Sequence, residues 1–393
     1  MDNFRFHTPT EVVFGKGVES HTGALAAKHG TRALIVYGKG SVVKSGLLSR
    51  VKASLKDAGL ECEDFGGAQP NPTLSHAEEG VKKALGFNAD IIIGVGGGSA
   101  IDTAKAIAHG AANPDKKLWD IWTKKVPLTK SLPIGAVLTM PAAGSEMSNS
   151  AVLTNTELGK KGGIGTDFNR CRFAVMDPEW GATLPPYQVA AGVTDIMMHT
   201  MERYFIPGIK CDLTDEIAEG LLRTVIKNGA AAVKDPSDYD TMAEVFWASS
   251  LSHNNLTECG RGRDFSVHKL GHPLSARYGV THGASLACVW KAWAEALYKE
   301  GLSRFAQFGR RVWGVCEDDD EAAAKKGIDK TVAFFKSIGM PTCLNDLNVS
   351  IGENDLPQLA LDATANDTLR LSRIRPLDAK AVEAIYRNAL QED

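Results

Sequence analysis

The sequence lacks the features that direct a protein out of a reducing aqueous compartment. Its seven cysteines are an odd number, and none of them forms a Cys-x-x-Cys pair, so they are interpreted as reduced thiols. No run of about 18 apolar residues is present, so no membrane-spanning helix is expected. Residues 1–15 contain neither the basic nor the apolar region of a signal peptide. We therefore expect a cytoplasmic protein with no membrane partner.

An excess of charge of one sign is also lacking. The chain has 44 Lys and Arg against 47 Asp and Glu, a formal net charge of −3. Nucleic-acid-binding surfaces are strongly basic, so no nucleic-acid partner is expected. The 393 residues are 44% hydrophobic, which is enough for a large core and predicts two domains.

The two halves of the chain differ in their hydrophobic pattern. Short, continuous apolar runs at residues 33–37, 90–95, 134–139 and 172–176 alternate with helical stretches. Such runs are typical of strands covered on both faces in a parallel sheet. From residue 188 onward the pattern is helical, as at residues 217–226 and 322–338. The sequence thus predicts an α/β domain over residues 1–186 and an all-α domain over residues 187–393.

The second half contains five residues at spacings that suit a divalent metal ion. Asp195 and His199 are four residues apart, as are His268 and His272, and His282 follows. Residues i and i+4 share one face of a helix, so each pair can reach the same centre. Imidazole and carboxylate ligands together favour Fe²⁺ or Zn²⁺ over Mg²⁺ or Ca²⁺. Taken singly, a buried Asp or His on an apolar helix is more often a structural residue than a ligand.

A glycine-rich segment at residues 94–99 follows the strongest predicted strand and precedes a helix. Glycines such as Gly97 and Gly98 allow close backbone approach, and a helix N-terminus attracts anions. The segment lacks the Gly-Lys-Ser/Thr of a Walker loop, so a dinucleotide pyrophosphate is the preferred ligand. The alternative is a tight turn in which Ser99 is the N-cap and Asp102 completes a capping box.

A second glycine cluster, residues 37–41, follows the first strong strand. Dinucleotide enzymes that use NAD place an acidic residue near this strand end, where it binds the ribose and repels a 2′-phosphate. Here Lys39, Ser41 and two glycines occupy these positions. The pattern favours NADP(H) over NAD(H), with an ordinary turn as the alternative.

Together these motifs resemble the iron-containing (group III) alcohol dehydrogenases, in particular their NADPH-dependent butanol dehydrogenase and aldehyde reductase branch. The resemblance rests on the order and spacing of several short segments along nearly the whole chain. They are Gly96-Gly-Gly-Ser99 with Asp102 and Lys105, Thr139-x-Pro-x-x-Gly-Ser-Glu146, Asp195-x₃-His199, Val267-His-Lys-Leu-Gly-His-Pro273 and Thr281-His-Gly283.

The resemblance implies a dehydroquinate synthase-like fold with an N-terminal dinucleotide-binding domain. It also implies that His272 is not a metal ligand but lies beside the metal, where we expect it to relay a proton. The implied metal ligands are Asp195, His199, His268 and His282. The implied nucleotide-contacting residues are Gly38, Ser41, Gly97, Gly98, Ser99, Asp102, Thr139, Ser145 and Lys161, with Lys160 as the alternative to Lys161.

The activity implied is reversible, metal-dependent hydride transfer between NADP(H) and a primary alcohol or aldehyde, such as butanol or butanal. The alternatives are an NAD-dependent glycerol or polyol dehydrogenase, a dehydroquinate-synthase-like lyase and a regulatory protein without activity. A homodimer is also implied, and residues 11–14 could pair across it. Residues 257–263 match no family pattern and are expected to border the substrate pocket.

Overall fold

The computed structural model describes residues 1–391, which divide into two compact units. One comprises His7–Thr183, and the other comprises Met1–Phe6 together with the residues from Leu184 onward. The division lies close to the boundary expected after residue 186. Residues 1–6, however, belong with the helical unit and not with the α/β unit, because the Asp2 amide donates to the Gly260 carbonyl at 2.8 Å.

The α/β unit contains a six-stranded sheet with the order β1-β8-β5-β4-β2-β3. All its neighbouring strands are parallel. The four predicted strands are confirmed as β2, β4, β5 and β8. The strands of this sheet are β1 (Glu11–Phe14), β2 (Arg32–Tyr37), β3 (Glu61–Phe65), β4 (Ile91–Gly96), β5 (Ile134–Leu138) and β8 (Phe173–Met176).

Helices connect these strands, as the alternating sequence pattern predicts. All six residues of β4 are buried, and Gly94 lets the following helix approach closely. A Cβ on Gly94 would lie 2.9 Å from the Ile101 Cα. The helices are α1 (Thr22–Ala26), α2 (Ser41–Lys44), α3 (Leu47–Asp57), α4 (Leu74–Phe87), α5 (Gly98–Ala112) and α6 (Leu118–Trp122).

A two-stranded hairpin is the main feature of this unit that the sequence pattern did not reveal. Strands β6 (Ser150–Asn155) and β7 (Lys160–Gly165) pair antiparallel. Residues 160–165, which include both candidate nucleotide lysines, therefore form a strand. Glycine and lysine are uncommon in strands, and β7 forms because its backbone completes the ladder with the more apolar β6.

The second unit is helical, as expected, and within the described residues it contains no strand, only one isolated bridge between Leu371 and Leu377. The periodic stretches at residues 217–226 and 322–338 lie in α8 and α13. No helix among residues 1–391 is long and apolar enough to cross a membrane. The helices are α7 (Pro186–Tyr204), α8 (Asp212–Lys234), α9 (Tyr239–His253), α10 (Ser266–Tyr278), α11 (His282–Leu297), α12 (Leu302–Trp313), α13 (Asp320–Ser337), α14 (Leu356–Ala363) and α15 (Ala379–Asn388).

Candidate metal centre and nucleotide loops

Three helices of the second unit bring the predicted metal ligands together. Helix α7 carries Asp195 and His199, α10 carries His268, and α11 begins at His282. The start of α11 packs directly on α7 because Gly283 has no side chain. A Cβ at Gly283 would lie 2.1 Å from the Ala191 carbonyl oxygen. This close approach brings His282 within reach of Asp195.

The Asp195 carboxylate lies at the centre of the cluster. Its Oδ1 atom is 3.4 Å from His199 Nε2, 3.6 Å from His268 Nε2 and 3.7 Å from His282 Nε2. Asp195, His268 and His282 form a group whose ligand atoms all lie within 4.8 Å of one another. Among the described residues, His199 is not a member of that group, but its Nε2 atom lies 3.4 Å from the Oδ1 atom of Asp195, which is a member.

A carboxylate that the sequence reasoning missed fixes the orientation of His268. The Nδ1–H of His268 donates to Glu202 Oε2, and Glu202 Oε1 accepts from the Val267 and His268 amides at 2.5 and 3.2 Å. Within residues 1–391, the Nε2 atom of His268 has no hydrogen-bond partner. Glu202 thus presents the lone pair of Nε2 to the cluster, as carboxylates behind metal-bound histidines do.

The electrostatics of the cluster suit a cation. Burial, and then the positive charges of His253 and His268, hold the pKa of His199 well below its usual range. Burial alone would also lower the pKa of His268, but the negative charge of Glu202, the hydrogen bond to Glu202 and the negative charge of Asp195 raise it to about 9. The two carboxylates therefore stabilise positive charge at this point, and His199 supplies a neutral imidazole. The donor set fits a divalent ion of the Fe²⁺ or Zn²⁺ type.

In the α/β unit, the glycine-rich segment forms the turn between β4 and α5. Gly96 has φ +148°, a conformation that L side chains rarely adopt. Helix α5 begins at Gly98 with Gly97 as its N-cap, and no side chain caps it. The capping-box alternative, with Ser99 as N-cap, was therefore wrong. The backbone amides that begin this helix have no side-chain cap and can serve an anion.

Asp102 and Ser145 are hydrogen-bonded to each other, and the buried Lys105 bonds to Ser145 as well. Ser145 Oγ donates to Asp102 Oδ1 at 2.6 Å, and Asp102 Oδ2 accepts from the Val152 amide at 2.8 Å. Lys105 is fully buried and donates to Ser145 Oγ, to the Ser145 carbonyl and to the Ser150 carbonyl at 2.7–2.8 Å. These bonds hold the loop after β5 and the hairpin against α5. In that loop the Thr139 amide bonds to the Gly96 carbonyl at 3.0 Å.

The turn after β2 contains Gly38, the exposed Lys39 and Ser41, the first residue of α2. No acid ends β2, but the neighbouring strand β3 contributes Asp64, which accepts from the Tyr37 hydroxyl at 3.3 Å. Lys52 donates to Asp64 at 2.7 Å and is the main cause of the lowered pKa of Asp64. The sequence reasoning missed Asp64 because β3 has no apolar run.

The predicted nucleotide lysine lies on β7. The Lys161 ammonium is half-buried and donates to Asn71 Oδ1 at 2.9 Å, whereas Lys160 is exposed. The geometry distinguishes the two lysines, because only Lys161 is held in a fixed position.

Two family models together match almost the whole chain. The model of the iron-containing alcohol dehydrogenases matches residues 9–178. The C-terminal model of the Fe-containing alcohol dehydrogenase family matches residues 189–390.

The chain belongs to the iron-containing alcohol dehydrogenase family.

Characterised relatives of this alcohol dehydrogenase resemble it along its length. The NADH-dependent butanol dehydrogenase A of Clostridium acetobutylicum is 38% identical, with 99% of this chain and 100% of the relative covered. The NADPH-dependent aldehyde reductase YqhD of Escherichia coli is 37% identical, with 88% and 89% covered. A crystal structure of an NADH-dependent butanol dehydrogenase A from Thermotoga maritima has a TM-score of 0.95 at 34% identity, with 100% of this chain and 99% of that chain covered.

These comparisons confirm the expected fold and class. The chain is an alcohol dehydrogenase or aldehyde reductase, an oxidoreductase whose family uses a nicotinamide cofactor and a divalent metal. Its fold is that of the dehydroquinate synthase-like enzymes, with a parallel α/β unit followed by a helical unit.

His272 and His253 adjoin the candidate metal cluster. The ring of His272 lies 6.5 Å from that of His268 and 6.0 Å from that of His282, outside the ligand group. The ring of His253 lies 3.8 Å from that of His199. Both histidines therefore flank the predicted ligands.

Residues 257–263 support the cluster from behind. Glu258 accepts from Arg203 Nε at 3.0 Å, and Arg203 Nη1 donates to the His199 carbonyl at 2.6 Å. Arg261 is buried and paired with Asp215. A cavity of about 270 Å³ beside this segment is lined largely by residues 2–5 and 258–262. The segment thus packs against the N-terminal residues, and the expectation that it borders a substrate pocket stays a prediction.

Proposed function

We propose that this dehydrogenase transfers hydride reversibly between NADP(H) and a primary alcohol or small aldehyde such as butanol or butanal. We propose Asp195, His199, His268 and His282 as the ligands of one Fe²⁺ or Zn²⁺ ion. The observation that carries the assignment is the Asp195 oxygen, which lies within 3.4–3.7 Å of three imidazole nitrogens.

A bound divalent ion polarises a carbonyl oxygen and lowers the pKa of an alcohol. The nicotinamide supplies the hydride. Asp195 and Glu202 keep the imidazoles oriented, and Asp195, His199 and His268 are buried while His282 is partly exposed. His272 lies next to His268 and His282 without belonging to the ligand group, so its imidazole is our candidate for moving the proton to or from the substrate oxygen.

The preference for NADP(H) rests on the charges beside the turn after β2. Lys39 is positive and exposed, and Ser41 adds a hydroxyl at the start of α2. Asp64, which accepts from the Tyr37 hydroxyl, is paired with Lys52, which reduces its repulsion of a 2′-phosphate. The relatives include enzymes named for either cofactor, so kinetics must decide.

The experiment compares kcat/KM for butanal and glycerol with NADPH and with NADH. We expect turnover of butanal with a preference for NADPH. Exchange of Lys39 for Ala should reduce the NADPH preference and leave the NADH rate unchanged. A preference of the parent enzyme for NADH by about tenfold, equivalent to 1.4 kcal/mol, would refute the cofactor assignment. Faster turnover of glycerol than of butanal would favour the polyol dehydrogenase.

The metal and relay roles are tested separately. EDTA dialysis should abolish activity, and Fe²⁺ or Zn²⁺ should restore it. His268→Ala should lose bound metal, whereas His272→Ala should keep its metal and lose turnover. Full metal content in the His268 variant would overturn the ligand assignment. An unchanged rate and pH profile in the His272 variant would exclude the relay.

We also propose a homodimer, because β1 is the first strand in the order of the six-stranded sheet and pairs with β8. The edge strand of a sheet can pair with a strand from a second copy. Light scattering on the purified protein checks this, and a monomer at all concentrations would contradict it.

A further inference from the structure

Phe265 is a bulky aromatic residue in the left-handed backbone region, with φ 64° and ψ 24°, directly before helix α10. L side chains disfavour this conformation, and it persists where the surrounding structure enforces it, often at functional sites. The flanking residues provide that enforcement. The Asp264 amide bonds to the Glu202 carbonyl at 3.0 Å, and the Val267 amide bonds to the Glu202 carboxylate at 2.5 Å.

The ring of Phe265 lies against the imidazoles of two proposed metal ligands. Its centroid is 5.8 Å from that of His199 and 5.1 Å from that of His268, with interplanar angles of 85° and 83°. These are edge-to-face geometries, which aromatic rings favour and which restrict rotation of both partners. One side chain therefore contacts a ligand from α7 and a ligand from α10.

Two guanidinium groups hold this ring in place. Arg203 Cζ lies 4.8 Å and Arg263 Cζ 5.3 Å from the ring centroid, within the range of cation–π attraction. Both arginines also pair with Glu258, at 3.0 and 3.5 Å. Because Arg203 in addition donates to the His199 carbonyl, the ring and the backbone of His199 are fixed to the same group.

We propose that Phe265 is a positioning residue for the metal centre, which holds the imidazoles of His199 and His268 in the orientation that binds a divalent ion. The inference rests on the proposed metal site. The left-handed backbone of Phe265 places the aromatic ring between α7 and α10. A residue with an ordinary backbone conformation at this position would direct its side chain elsewhere. The strain at this residue is thereby used to preorganise the ligands before the ion arrives.

Three variants separate the ring from the backbone. Phe265→Gly removes the ring and relieves the left-handed strain, Phe265→Leu keeps apolar volume without a flat ring, and Phe265→Tyr keeps the ring. Asn88→Gly is the matched control, since Asn88 is also left-handed, with φ 53°, but caps α4 in the other unit.

The measurement is the Kd for Zn²⁺, obtained by competition with a chromophoric chelator, with the visible absorption of the Co²⁺ form as a report of ligand geometry. We expect the Gly and Leu variants to bind Zn²⁺ about 10–100-fold more weakly and to show altered Co²⁺ spectra. The Tyr variant and the Asn88 control should match the parent protein.

The outcomes are distinguishable. If the folded Gly variant binds Zn²⁺ with the affinity of the parent protein, the role of Phe265 is overturned and the metal site stands. If the Gly variant does not fold, the same result in the Leu variant has the same meaning. Failure of the parent protein itself to bind Zn²⁺ or Co²⁺ would instead overturn the metal site. If Phe265 only stabilised the fold, the Leu variant would have a lower Tm but an unchanged Kd for Zn²⁺.

Discussion

Replacement of Lys105 by Met tests how the loops that we predict to bind the nucleotide are held. The Lys105 ammonium is fully buried, donates three hydrogen bonds to Ser145 and Ser150, and lies 3.7 Å from Asp102 Oδ1. Methionine has similar length but no charge. Its introduction leaves the Asp102 carboxylate without its buried cation and removes a donor from the carbonyls of Ser145 and Ser150, of which that of Ser150 still accepts from the Ser148 hydroxyl at 3.2 Å.

The magnitude follows from these contacts. A hydrogen bond to a charged group contributes about 1.5–3 kcal/mol net, but the three share one ammonium and do not add. Removal of one partner of a buried ion pair costs about 3–5 kcal/mol. We therefore expect the free energy of unfolding of the α/β unit to fall by about 3–5 kcal/mol.

Pulsed thiol labelling of Cys171 measures this change. Cys171 is fully buried in the α/β unit, and burial raises the pKa of its thiol to about 12, so it reacts only when this unit opens. The labelling rate in urea should rise in Lys105→Met, with weaker NADPH binding in native buffer. The double variant with Asp102→Asn should recover part of the loss. A destabilisation below about 1 kcal/mol, the level of a single neutral hydrogen bond, would refute the reasoning.

Three further predictions concern other contacts. Glu202→Gln should weaken Zn²⁺ binding about 10–100-fold, because the amide no longer accepts strongly from His268; an unchanged Kd in chelator competition would contradict this. Burial lowers the pKa of His109 to about 4 from 6.5, so between these pH values the unfolded chain binds a proton that the folded chain does not. The free energy of unfolding should therefore fall by about 3 kcal/mol in total as the pH drops from about 6.5 to 4. Urea unfolding at several pH values should show a smaller dependence of this free energy on pH in His109→Gln than in the parent protein. Gly283→Ala should displace α11, since its Cβ would meet the Ala191 carbonyl oxygen, and the purified variant should contain less metal by elemental analysis.

The sequence predicted the elements that have a clear hydrophobic pattern or residue spacing of their own. Continuous apolar runs identified β2, β4, β5 and β8, and the i, i+4 spacing placed Asp195 and His199 on one helical face. By contrast, β3 and β7 are polar or glycine-rich, and they form because neighbouring strands accept their backbone hydrogen bonds. Local propensity contains no information about such partners.

The supporting residues of the site were equally hidden in the sequence. Glu202 comes three residues after His199 in the same helix, but its partner His268 lies far along the chain. Asp102 was interpreted as a cap or a ligand, and its actual partners on β6 and the loop after β5 depend on a hairpin that was not predicted. Phe265 shows no signal at all, since a backbone dihedral angle is visible only in three dimensions.

The docking of residues 1–6 on the helical unit has a consequence for the order of events during biosynthesis. These residues are synthesised before the α/β unit, whereas the backbone they bind, at Gly260, is synthesised after it. The α/β unit can fold as soon as its own residues are available, but residues 1–6 have no partner at that time. The helical unit can therefore complete this contact only after the intervening α/β unit has been synthesised.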